Sequence, residues 1–93
     1  MISCFIVNPK GFFYTDSSWK KDIRYANIFT LIQAAEKVRE LVKAGISAVY
    51  HCVIQNERFD YFDGRSWVYD LSEAKLYSHA EALRQVAHLN TTQ

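Results

Sequence analysis

The sequence predicts an α+β fold: a tandem duplication of a βββα unit that forms one antiparallel sheet with two helices on one face. Three observations carry this. The chain laid on itself at an offset of 48, residues 1–45 against 49–93, matches without gaps at Cys4/Cys52, Ile6/Ile54, Asn8/Asn56, Ser18/Ser66, Trp19/Trp67, Asp22/Asp70, Ala26/Ala74, Ala34/Ala82, Val38/Val86 and Leu41/Leu89. Those ten identities stand against roughly three that average composition supplies by chance. Each half opens with short runs rich in β-branched and aromatic residues, and each closes with a helical pattern behind a capping box.

The first strand is read from Ile2 to Asn8 and again from Ser47 to Asn56, and the second from Gly11 to Tyr14 and from Arg58 to Phe62. Asp63-Gly64 is a turn dipeptide after the second of these hairpins. Beyond each Trp comes Asp22 or Asp70, whose carboxylate can accept from the free amides of one helical turn, and Glu73 completes a capping box in the second copy. A short third strand is expected at Ala26 to Phe29 and at Ala74 to Tyr77. Thr30-x-x-Gln33 and Ser78-x-x-Glu81 then start the helices, with Gly45 and Asn90 as terminators. Leu31, Ala34, Ala35, Val38, Leu41 and Val42 recur at helical spacing, as do Ala82, Leu83, Val86 and Leu89. Strand alternation sends Ile2, Cys4 and Ile6 to one side and Tyr50, Cys52 and Ile54 to the equivalent side, so the first strands are expected to pair around a pseudo-twofold axis.

At 93 residues, 49% hydrophobic and 23% charged, with three Gly and one Pro, the chain reads as one globular domain over 1–93. A copy of about 45 residues buries too little to be stable alone, so the two copies must share a core. The net charge of +1 lacks the footprint of a dedicated nucleic-acid or membrane-surface binder. Its distribution is uneven: seven basic and four acidic residues in 1–45 give +3, and four basic and six acidic in 46–93 give −2. The apolar run Ile2 to Val7 is too short for a signal-peptide core, and no segment approaches a membrane span, so a cytoplasmic location is expected.

Chemistry-bearing residues mostly read as structural. Cys4 and Cys52 are too few for a disulfide framework and sit among Ile and Tyr on an inward strand face, so both are expected to be buried, reduced core thiols. His51 adjoins Cys52, but neighbours on a strand point to opposite faces. His79 and His88, nine residues apart, face opposite ways on one helix and cannot share a metal. With no phosphate loop, nucleophile elbow or informative carboxylate pair, no catalytic residue, metal or cofactor is expected. Trp19 and Trp67 read first as hubs pinning the hairpin to the third strand. Trp19 also heads a group absent from the second copy, Lys20, Lys21, Arg24 and Tyr25, a cluster of cations and aromatics suited to an acidic protein surface or a phosphate backbone. Those five residues are the candidate partner-binding site.

The string Trp67-Val-Tyr-Asp-Leu-Ser-Glu-Ala-Lys-Leu-Tyr-Ser-His-Ala-Glu-Ala is similar to the W-x-x-D-L-x-x-A-x-x-F/Y-S-x-x-E-A pattern of short bacteriophage proteins. The order hairpin, Trp, short aromatic strand, helix also resembles the hybrid-binding, viroplasmin-like domain of ribonucleases H, which grips RNA–DNA duplexes and carries a Lys-rich stretch between the aromatics before its final helix; the matching stretches here are Ala26-Asn-Ile-Phe29 and Ala74-Lys-Leu-Tyr77. The first resemblance implies a phage-encoded binding protein that inhibits or modulates a host enzyme or defence system in the host cytoplasm. The second implies a nucleic-acid-binding module.

Overall fold

In the computed structural model, which describes residues 1–16 and 18–91, the chain runs β1 (Ile2–Val7), β2 (Phe13–Thr15), β3 (Ser18–Lys20), a 3-10 turn (Ile23–Tyr25) and α1 (Leu31–Lys43). It continues through β4 (Val49–Ile54), β5 (Tyr61–Phe62), β6 (Trp67–Val68) and a second 3-10 turn (Leu71–Glu73) to α2 (His79–Thr91). Strands in the order β3-β2-β1-β4 form a four-stranded antiparallel sheet, and β5-β6 form a separate two-stranded ribbon. The expected single sheet is thus divided. The ribbon meets the chain just past β4 at one bridge, Gln55 with Tyr61, and is short because Asp63 closes its turn at once, accepting from the Arg65 and Ser66 amides at 2.8 Å each.

β1 and β4 pair along their whole length, with Ile2 opposite Ile54, Cys4 opposite Cys52 and Ile6 opposite Tyr50. The third strand is displaced from its expected place: β3 is the Trp19 segment itself, and Ala26–Phe29 and Ala74–Tyr77 contract to single bridges, Phe29 with Cys4 and Tyr77 with Cys52. The reason lies in unpaired backbone. β1 and β2 share only the Val7–Phe13 pair and then diverge, leaving peptide groups that need partners. Asn27 N–H donates to the Tyr14 carbonyl (3.0 Å), and Phe29 exchanges bonds of 2.9 and 2.8 Å with Cys4. Lys75 donates likewise to Phe62 (3.0 Å), and Tyr77 exchanges two bonds of 2.8 Å with Cys52.

Both helices start as expected. Gln33 N–H donates to Thr30 Oγ1 (3.2 Å) while Thr30 N–H donates to Gln33 Oε1 (3.1 Å), and Ser78 and Glu81 repeat the exchange at 3.1 and 3.2 Å. α1 stops before Gly45, whose φ of +84° suits a residue without Cβ. α2 runs through Asn90 to Thr91. Asp22 and Asp70 cap the 3-10 turns by accepting from Arg24 N–H (2.9 Å) and Ser72 N–H (3.0 Å). The Glu73 side chain does not complete the expected box, because the turn is only three residues long and Glu73 N–H donates to the Asp70 carbonyl (3.0 Å). Asn8 and Asn56 organise the hairpin turns: each Oδ1 accepts two amides, from Lys10 and Phe12 (3.0 and 2.9 Å) and from Arg58 and Asp60 (2.9 and 3.0 Å).

Three layers result. One sheet face packs under both helices, burying Cys4, Cys52, Ile54, Phe62 and Tyr77 against Ala34 and Ala82, and Ile6 and Tyr14 against Leu41 and Ala48. The other face carries Phe5 and Val53 beneath the 3-10 turns, packed with Ile23 and Leu71. At the centre the Cys4 and Cys52 Sγ atoms lie 3.1 Å apart, both without solvent exposure. The neighbouring sulfur and burial push the Cys4 thiol far above the ordinary range. Because a reagent must reach the sulfur and neither sulfur is open to solvent, it is expected to leave both Cys unmodified in the native state and to label two per chain in denaturant. Rapid native labelling, read by mass spectrometry, would contradict this packing.

Candidate functional site

The two 3-10 turns meet on the face away from the helices. Between them lies a shallow cleft of about 370 Å³, walled by Lys21, Asp22 and Arg24 from one half and by Leu71, Ser72 and Leu76 from the other. Arg24 does not stand free in it. Its Nε donates to both Asp22 carboxylate oxygens at 3.1 Å and its terminal amine to Oδ2 at 2.6 Å. That pairing, with the field of Asp70 added, raises the Arg24 pKa, and the same guanidinium lowers that of Asp22. The Asp70 carboxyl is lowered first by the Ser72 amide. Arg24 is therefore balanced by Asp22, with Asp70 near enough to act on it.

The structure divides the five candidate residues. Lys21 and Arg24 share the cleft, and Tyr25 follows in the same turn with 68% of its surface in water. Lys20 and Lys21 are exposed and make no ion pair among the described residues. Trp19 is elsewhere. It is half-buried on the helix side with Ile6 and Leu41, its ring edge-on to Tyr14 at 5.5 Å. Strand β3 accounts for the split: Trp19 packs on the helix side, and the chain then turns under the sheet so that Ile23 enters the opposite layer. Trp19 is a brace for the hairpin and not part of the exposed cluster.

Sequence reasoning missed Tyr69, 92% exposed at the position that Lys21 holds in the first half. It also missed a larger groove of about 680 Å³ between α2 and the Asn56–Asp60 turn, walled in part by Trp67, Val86 and Leu89. The available signal for the groove was the match Trp19/Trp67, Val38/Val86, Leu41/Leu89, read only as core. Among the described residues there is no group of three metal-ligating side chains, and no helix is long and apolar enough to cross a membrane.

The turn-closing carboxylates set a pH dependence. Asp22, Asp63, Asp70 and Glu81 are all held below their ordinary range, Asp22 first by Arg24 and the others first by backbone amides. A depressed folded-state pKa stabilises above the unfolded value and ceases to do so as pH falls through the folded one. The melting temperature is therefore expected to decline steadily from about pH 5 toward pH 2. In Asp70→Asn the decline should be shallower; an identical profile would show that this cap contributes nothing.

Comparison with family models, with curated proteins and with solved structures returns no match to this chain, so a reading of its function rests on these residues themselves.

Proposed function

We propose that this chain is a small non-catalytic binding protein, built by tandem duplication of a βββα unit, that acts by covering a surface on another protein. The observation that carries the reading is the face of the two 3-10 turns. Tyr25 in the first turn and Tyr69, next to the Asp70 cap of the second, are large aromatic side chains standing in water, and in the cleft between the turns Arg24 is paired with Asp22. Aromatic residues flanked by polar groups are the composition of protein interfaces, and Tyr is among the residues that dominate their energetics. Lys20, Lys21, Arg24 and Tyr25 contact the partner in this reading, and Trp19 holds the hairpin that presents them. Duplication is supported by bonds that recur 48 positions apart, among them Cys4–Phe29 and Cys52–Tyr77, the two Asn turns and the two capping boxes.

Inhibition of a host enzyme or defence system in the host cytoplasm is the specific form of this proposal, and it rests on the resemblance to bacteriophage proteins. A photo-crosslinking residue at position 69, with host cytosol, tests it. One discrete protein adduct is expected, retained at 0.5 M salt and lost when Lys20, Lys21 and Arg24 are all changed to Glu. That variant should melt near the parent temperature, because exposed charges contribute little to stability. A nucleic-acid adduct that collapses as salt rises would establish the hybrid-binding alternative instead. No adduct at all, with the protein folded, would place the site elsewhere.

A further inference from the structure

Cys4 and Cys52 are the two nucleophilic side chains of the core, and the backbone around them decides how their sulfurs are presented. They stand directly opposite each other on β1 and β4. At the end of the same ladder Met1 and Gln55 exchange two bonds, the Met1 nitrogen donating to the Gln55 carbonyl (3.1 Å) and Gln55 N–H to the Met1 carbonyl (2.8 Å). Hydrogen-bonded and non-hydrogen-bonded pairs alternate along antiparallel strands. Ser3 with Val53 is therefore a bonded pair, and Cys4 with Cys52 is not. The Cys backbone groups point outward instead, where Cys4 exchanges two bonds with Phe29 and Cys52 two with Tyr77.

Non-hydrogen-bonded pairs bring facing Cα atoms closest, to about 4.5 Å, with their side chains in contact. A disulfide spans roughly 4.4–6.8 Å between Cα atoms, so this ladder position admits one. The sulfurs are already 3.1 Å apart, and a bond of about 2.05 Å asks them to close by about 1 Å. The backbone that carries them is held on both outer sides by Phe29 and Tyr77, which leaves the movement to the side chains. The hydrogen bond from Cys4 also lowers the Cys52 pKa, favouring one thiolate in the pair. Burial with Ala34 and Ala82 limits what can arrive. Hydrogen peroxide is little larger than water and needs only a brief local opening, whereas a thiol reductant must bring its own sulfur into line with the pair.

We propose that Cys4 and Cys52 are a latent cross-strand disulfide, closed by hydrogen peroxide and then shielded from thiol reductants by the core, that fastens the two halves of the chain together. In the first step one thiolate attacks a peroxide oxygen: an S–O bond forms, the O–O bond breaks, and the departing hydroxide takes the proton that thiol released, leaving a sulfenic acid and one water. The second sulfur then attacks the first. The S–S bond forms, the S–O bond breaks, and hydroxide leaves with the second thiol's proton as another water. Two thiols and one peroxide thus give one disulfide and two waters, each sulfur being oxidised by one electron and each oxygen reduced by one. The link joins residues 48 positions apart, a long loop whose closure removes much of the freedom of the unfolded chain. The proposal is independent of the reading of the chain as a binding protein.

The test is to expose the native protein to millimolar hydrogen peroxide and map its peptides without reduction. A linked Cys4 and Cys52 peptide pair lacking two hydrogen atoms is expected, read on those peptides because exposed Met1 takes up oxygen on its own account. The oxidised protein should melt about 10–20 °C higher than the reduced one. Reductant should leave the link intact in the native state and open it in denaturant. Cys52→Ala, which removes one partner and keeps a small side chain, should gain no melting temperature from the same treatment. Two free thiols counted in denaturant after exposure would overturn the proposal, as would oxygen-bearing Cys without a link or a link between chains. So would an unchanged or lowered melting temperature, an equal gain in Cys52→Ala, or equally fast reduction of native and denatured protein.

Discussion

Phe5→Ala is expected to lower the unfolding free energy by about 3–5 kcal/mol, the range for deleting a fully buried aromatic ring. Phe5 is 1% exposed and sits with Val53 and Ile23 in the layer under the 3-10 turns. That layer is thin, because two three-residue turns cover it where helices cover the other face. A small cover has few atoms that can move into a void, so the cavity should persist and the cost should lie toward the upper end. For a chain of 93 residues this removes a large share of a total of about 5–15 kcal/mol. Urea unfolding should show a lower midpoint with an unchanged slope. A loss below about 1 kcal/mol would mean that the turns collapse onto the gap and that this second layer contributes little.

That layer is also where the sequence is hardest to read. Period-2 alternation correctly assigns Ile2, Cys4, Ile6, Tyr50, Cys52 and Ile54 to one face. It says only that Phe5 and Val53 point the other way, and nothing local announces that two short turns come back to cover them. Helix starts were legible because a capping box is a local device: Thr30 with Gln33 and Ser78 with Glu81 meet their own neighbours whatever the tertiary fold. The third strand was not, because its position depends on where β1 and β2 separate. The aromatic run Ala26–Phe29 has strand composition, but it has only the gap beside Cys4 to enter, while Trp19 pairs first with the adjacent Tyr14.

The candidate site was half legible for the same reason. Lys21, Arg24 and Tyr25 are local to one turn and stay together, whereas Trp19 is separated from them by the sheet itself. Sequence order places three cations, Lys20, Lys21 and Arg24, within five residues. Side-chain geometry instead ties Arg24 to Asp22 and places Asp70, distant in sequence, near enough to act on it. The exposed Tyr69 and the groove beside Trp67 have no local pattern in the sequence, because both depend on how elements distant in the chain pack. The two halves differ in side chain at positions such as Lys21 against Tyr69 and Gly11 against Phe59.

Ala34→Leu and Ala82→Leu are expected to destabilise by about 1–3 kcal/mol each, the cost of overpacking a closed site. The two alanines match at the offset of 48, and each is buried without exposed surface where its helix presses on the sheet around Cys4 and Cys52. Leucine adds three carbon atoms at a point with no exposed surface, so either the helix lifts or the sulfur pair shifts. Helix propensity works slightly against the change as well, since Ala is the best helix former. Ala87→Leu on the exposed face of α2 is the control and should stay within about 0.5 kcal/mol of the parent. Because Ala34 and Ala82 belong to one cluster, the double variant should depart from the sum of the singles, the first intrusion having already displaced what the second would meet. Strict additivity in denaturant unfolding would mean that the helices rest on independent patches, and would contradict a core shared between the two halves.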